Sequence, residues 1–198
     1  MINQQNEKVY KLVITALMAA LCYVSFSYLK IPLPTGGGGM TALHIGNAFC
    51  VMAALFLGGG YGGLAGSLGM TIADLLDPRY VTSAPRTFVL KLCIGLISGF
   101  VAHKIAHITE EHDTKYIFKW TLISAVAGLG FNVIMDPIAK YFYENYFLGI
   151  HSDVAKISAT WAAGATFINA VAGTVLVVVV YMAARTVLKK EGLFFKIR

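Results

Sequence analysis

Charge is what this sequence has least of. Only 13% of its 198 residues are Asp, Glu, Lys or Arg, about half the share of an ordinary soluble domain. Cysteine is scarce as well: Cys22, Cys50 and Cys93 stand in separate apolar runs. An odd number placed that way excludes a disulfide framework and suits small core residues. Neither glycine run, Gly36–Gly39 or Gly58–Gly60, is followed by Gly-Lys-Ser/Thr, so neither is a nucleotide-binding P-loop. No Ser/His/Asp or Cys/His set can be placed in one aqueous pocket, and nothing reads as an enzyme or calls for a cofactor. His103, His107 and His112 have a spacing that zinc tolerates on a helix. They lie in a charged stretch without cysteines, where solvated side chains are expected. No small-residue cleavage site follows the first apolar run, so that helix is expected to remain in the mature protein.

What is present is apolar length. Hydrophobic residues make up 57% of the chain, in recurrent runs long enough to cross a bilayer. The expected fold is an all-α integral membrane protein, a six-transmembrane-helix bundle forming a single domain over residues 1–198. The spans are read at about 10–29, 43–58, 61–76, 88–107, 117–138 and 157–188, with an aromatic-rich, broken interfacial segment at 139–156. Between the first two spans, Lys30–Asn47 carries Pro32 and Pro34, which stop a helix, and four consecutive glycines, which admit φ > 0 freely. Its part at about 31–41 is read as a lid over one mouth of a binding site. Gly58, Gly62 and Gly66, and likewise Gly59, Gly63 and Ser67, recur at four-residue spacing as ridges for close helix packing.

The net charge of +6 marks cytoplasmic loops rather than nucleic-acid binding in a chain this apolar. With both termini inside, the inner side holds Lys8, Lys11, Lys104, Lys115, Lys119, Arg185, Lys189, Lys190, Lys196 and Arg198, ten of the 16 basic residues. The lid then faces outward, and the location expected is the plasma membrane.

Polar side chains at membrane depth need a partner or a function. His44, Asn47, Asp74, Arg86, Lys91, Asn132, Asp136, Trp161 and Asn169 all fall in the outer halves of the spans, and the inner halves are nearly bare. That asymmetry fits a pocket open to the outside rather than a pore lined along its full length. Bland alternatives stand beside each: Asp74 paired with Lys91 or Arg86, Asn132 and Asn169 bridging helices, Trp161 in an interfacial belt. Ala16 and Ala20 share a face of the first helix, suited to internal packing or to a partner subunit.

The strings H-I-G-N-A-F-x-V-M-A-A-L-F-L-G-G, A-D-L-L and A-P-R-T-F-V-L-K-L-x-I-G-L-I-S-G resemble the substrate-binding S component of energy-coupling factor (ECF) vitamin transporters, over nearly all of the chain. The resemblance implies capture of a vitamin from outside, delivered to a transmembrane coupling subunit and two ATPases. It implies that Ala16, Ala20 and the neighbouring Ala19 contact the coupling subunit. Among the branches of the family, the pattern looks closest to the pyridoxine/hydroxymethylpyrimidine group, with pantothenate and riboflavin as near relatives. The metal-specific branch carries an N-terminal histidine where this chain starts Met-Ile-Asn-Gln, so no metal is expected. The function expected is therefore capture of vitamin B6 or a related ring. The alternatives are a pantothenate- or riboflavin-specific S component, or a stand-alone secondary transporter or facilitator.

Overall fold

A computed structural model describes residues 4–35, 39–191 and 197. The glycines Gly36–Gly38 of the expected lid, the first three residues, Lys196 and Arg198 lie outside them. In chain order the elements are α1 (Gln4–Tyr28), β1 (Lys30–Pro34), β2 (Met40–His44), α2 (Gly46–Leu57), α3 (Gly59–Leu76), α4 (Ala84–Gly99), α5 (Thr114–Phe142) and α6 (Ser152–Lys190). A 3-10 turn at Val81–Ser83 leads into α4, and π turns at Phe100–Ile105 and Tyr143–Phe147 extend α4 and α5.

Four stretches are long and apolar enough to cross a membrane: Lys8–Tyr28, Val81–Ile105, Thr114–Phe147 and Ser152–Lys190. The other two helices of the bundle are different. With 12 residues, α2 spans about 18 Å at 1.5 Å per residue, well short of the ~30 Å hydrocarbon layer. Ten of those residues are buried, and the helix touches α1, α3, α4, α5 and α6. It is the innermost rod. Its own Leu55 and, around it, Met70, Ile94, Leu129, Val177 and Tyr181 form the core. Apolar side chains such as Leu12, Leu17, Val175 and Val179 point outward, as a lipid-facing surface requires.

The glycines of α3 let three neighbours approach to backbone distance. A Cβ on Gly62 or Gly66 would strike Ala54 or Cys50 of α2, one on Gly69 would strike the carbonyl of Ala19 in α1, and one on Gly63 would strike Leu92 of α4. Reciprocally, Gly95 and Gly99 of α4 lie against the backbones of Gly63 and Gly59. Such seams replace side-chain interdigitation where no hydrophobic drive separates helix from lipid.

Three expectations need correction. Residues Lys30–Pro34 and Met40–His44 are not a loop running into a helix at 43 but two paired antiparallel strands, a hairpin with Lys30 opposite His44 and Pro34 opposite Met40. Both strands are edges, so Pro32 and Pro34 leave no ladder partner stranded. Residues 139–156 are broken as expected, but as the end of α5 and the start of α6 rather than as a segment of their own. The α5 helix passes through Pro137, which removes one backbone bond, and ends in a π turn stacked by Phe142 on Tyr146 and Tyr143 on Phe147. Finally, His103 is buried in the α4 π turn with Nε2 bonded to the Ala54 carbonyl at 2.9 Å, while His107 and His112 are exposed. An α2 carbonyl, rather than water, claims that ring.

Gly95→Leu should therefore lower the apparent unfolding temperature in detergent by the equivalent of about 3 kcal/mol, the upper range for overpacking. Gly130→Leu, at a position with open space around it, should change it little. Differential scanning fluorimetry on the two purified variants makes the comparison.

Candidate functional site

Because α2 is short, the space above its first turn is not filled by helix. The hairpin roofs that space and is clamped on three sides. At its base, Lys30 Nζ meets Asp77 Oδ2 at 2.9 Å and lies over the rings of Tyr80 (4.2 Å) and Phe26 (4.8 Å). Tyr80 donates its hydroxyl to the Thr41 carbonyl at 3.1 Å. Along β2, the carboxamide of Asn169 takes the place of a third strand. It donates to the Ala42 carbonyl at 2.9 Å and accepts from the His44 N–H at 3.0 Å. Each such bond contributes about 1 kcal/mol when intact and costs more when one buried partner is orphaned. Near the tip, Thr35 and Ser158 hydroxyls pair at 3.0 Å, and Ser158 donates to Glu144 at 3.2 Å. Lys140 completes this latch, 2.6 Å from Glu144 and 3.3 Å from the Met40 carbonyl.

Asp77 anchors the base from a tight D-P-R turn. It accepts from the Arg79 backbone N–H at 3.1 Å and from the guanidinium at 2.9 and 2.8 Å. Arg79 above all holds its carboxyl well below the usual carboxylate range, outweighing the opposing effect of burial, with Lys30 adding to the depression.

Beneath the roof is a cavity of roughly 500 Å³, open space at its mouth included. Its free interior is about 50 Å³, room for a water or two, so any larger ligand has to spread the walls. All six helices and the hairpin supply the walls: Phe26 from α1; Asn47 from α2; Asp74 from α3; Arg86, Thr87 and Lys91 from α4; Asn132 and Asp136 from α5; Thr166 and Asn169 from α6. On the α5 side, Arg86 lies 3.5 Å from the Asp136 carboxylate, which also accepts from Thr166 at 3.1 Å. Lys91 Nζ donates to Asn132 Oδ1 at 3.2 Å. His44 packs edge-on to Phe26, and its Nδ1 accepts from the Gly46 N–H at 3.1 Å, fixing the turn into α2.

Eight of the nine residues proposed from the sequence as pocket-lining converge here: His44, Asn47, Asp74, Arg86, Lys91, Asn132, Asp136 and Asn169. Trp161 does not; it is 53% exposed on the outer side of α6. Ala16 and Ala20 are exposed on α1, and Ala19 is half-buried with its carbonyl against Gly69. Sequence reading missed Phe26, Tyr80, Thr87 and Thr166 on the cavity and the Lys140–Glu144–Ser158 latch outside it. The i, i+4 spacing of Lys140 and Glu144 was the one available signal. The two aromatics carry no mark distinguishing them from the many others in the chain.

The sign of the Asp77 shift fixes a pH dependence. A depressed carboxylate contributes its stabilisation above the unfolded pKa of about 3.9 and loses it only as pH falls through the lower native value. Ligand dissociation should thus be insensitive to this anchor between about pH 5 and 8, whereas Asp77→Asn should speed dissociation about 10-fold at any pH in that window. Stopped-flow release measurements on wild type and variant check both.

Comparison with known proteins places this geometry. No curated protein matches the chain. Among solved structures, ThiT from Listeria monocytogenes superposes with a TM-score of 0.65 at 18% identity, over 91% of this chain and 98% of that one, a likeness of fold. The family model described as ECF-type riboflavin transporter, S component, matches residues 6–186. The sequence-based preference for the pyridoxine/hydroxymethylpyrimidine group is overturned by that match; the strings behind it sit on the glycine seams as much as on the cavity. The six-helix membrane bundle with its roofed cavity belongs to the family of ECF-type riboflavin transporter S components, vitamin-capturing transport proteins rather than enzymes.

Proposed function

We propose that the chain, working as one membrane domain, captures riboflavin from the outer side of the plasma membrane with both termini in the cytoplasm. The observation that carries this reading is the cavity itself: polar groups from five helices converge under one clamped hairpin at one end of the bundle. At the other end lie the 106–113 connection and the end of α6, where Arg185 donates to the Ile108 carbonyl at 3.1 Å and Lys189 meets Glu111 at 3.2 Å. The excess of basic residues at that end supports its cytoplasmic placement. The family match supports riboflavin as the vitamin. Phe26 and Tyr80 offer apolar faces to a ring. His44, Arg86, Asn132 and Asp136 offer the donors and acceptors that a hydroxylated chain needs.

Uptake energy comes, in this reading, from a transmembrane coupling subunit and two ATPases, contacted through the α1 face that carries Ala16 and Ala20. Ala19, beside them, lends its backbone to α3 and a smaller share to that surface.

Purified full-length protein should quench riboflavin fluorescence with submicromolar affinity and bind thiamine and pantothenate at least about 100-fold more weakly, a margin of about 2.7 kcal/mol. Tighter binding of either competitor would overturn the riboflavin assignment. Changing Ala16 and Ala20 together to Leu should abolish uptake in cells that hold the partner subunits while leaving riboflavin affinity within about 2-fold, since exposed positions away from the cavity perturb stability little. Loss of binding as well would make the pair internal packing.

A further inference from the structure

Most of the buried charge in and around the cavity is satisfied by the protein, and the exception is instructive. Arg86 has Asp136, Lys140 has Glu144, and Lys30 has Asp77. Asp74 has none of these. It is wholly buried, and neither carboxylate oxygen has a hydrogen-bond partner among the described residues. The Thr87 hydroxyl is close enough to interact with the carboxylate, as are the charges of Lys91 and Arg86 at longer range, but none closes a well-formed hydrogen bond to it. Lys91, one helix over and 6% exposed, spends one N–H on the Asn132 amide and forms no ion pair with Asp74. Asn47 Oδ1, also buried, is unpartnered as well. All three side chains line the same cavity, from α2, α3 and α4, and α3 packs against both other helices.

A bare buried carboxylate is expensive, and burying it beside an ammonium without closing the pair wastes the available compensation. The arrangement makes sense as a half-site in which the ligand supplies the missing groups. Asp74 requires an N–H or O–H donor. Lys91 requires an acceptor next to that donor. Asn47 can offer its amide nitrogen to a second acceptor after rotation of its carboxamide. Donor from Lys91, acceptor at Asp74 and donor from Asn47 complement an acceptor–donor–acceptor edge.

We infer that the α2–α3–α4 wall recognises a cyclic imide, C(=O)–NH–C(=O), with its N–H donated to Asp74 and a flanking carbonyl accepting from Lys91. The inference rests on the riboflavin reading, because the pyrimidinedione edge of a flavin is such an imide. It adds the orientation: imide edge toward α3, hydroxylated chain toward α5 and the hairpin.

The test compares riboflavin with 3-methylriboflavin, in which the imide N–H is blocked, and lumichrome with 3-methyllumichrome, which lack the ribityl chain. Titrations use the full chain as wild type and Asp74→Asn. Wild type should prefer each N–H form on the order of 100-fold or more, as sites built to hydrogen-bond a donor do. In Asp74→Asn the affinity for the N–H forms should drop more than 10-fold and the preference should shrink to a few-fold, because a steric penalty for the methyl would survive the substitution. A preference unchanged in Asp74→Asn, or absent in wild type, overturns the inference. Binding of lumichrome with the expected preference but not of riboflavin would sink the riboflavin reading and leave the imide contact standing; binding of neither ring would sink both. Should Asp74→Asn fail to fold, the carbonyl stretches of wild-type-bound riboflavin decide. A shift to lower wavenumber fits the charged donor Lys91, and unshifted bands overturn it.

Discussion

The length of α2 is the constraint from which the site follows. A 12-residue helix at the centre of a membrane bundle leaves about 12 Å of bilayer depth that something else has to fill. Backbone that is neither helix nor closed sheet is tolerated at such depth only where protein buries it or a cavity lies beside it. Both conditions are met here. The hairpin satisfies its own inward backbone groups through its ladder and through Asn169, and the remaining volume becomes a chamber lined with groups too polar to face lipid. A longer α2 would have closed the chamber and cost the protein its site.

The division of labour around that chamber is electrostatic. The α5 and α6 wall and the roof are internally neutralised by short pairs, Arg86 with Asp136 and Lys140 with Glu144, so they are stable without a ligand. The α3 wall carries its charge bare. Desolvated charges are tolerated at binding sites where a ligand restores their partners, and the narrow interior keeps bulk water from doing so first.

Much of this was legible in the sequence because membranes make polar residues conspicuous. His44, Asn47, Asp74, Lys91, Asn132, Asp136 and Asn169 stood out against apolar runs, and their common depth pointed to one chamber. The glycine ridges of α3 were equally plain. The hairpin was less so: a proline-rich, glycine-rich stretch announces a break in helix, but strand pairing between Lys30 and His44 depends on an Asn169 that lies 127 residues from Ala42. Trp161 misled because an aromatic near the membrane surface reads alike whether it faces a vitamin or lipid. The choice of vitamin was beyond the motifs, since those same residues also carry the packing of α2, α3 and α4.

The α3–α4 seam has one more implication. Where Gly59, Gly63, Gly95 and Gly99 bring two backbones together, there are no side chains to change rotamer and no slack to absorb a displacement. These two helices are bound to travel as a single plate, and α2 rides on the same plate through Gly62 and Gly66. Any widening of the chamber must then be borne on its far side, by the hairpin swinging from its Thr35–Ser158 latch or by α5 and α6 leaning away, while the wall bearing the bare carboxylate keeps its shape.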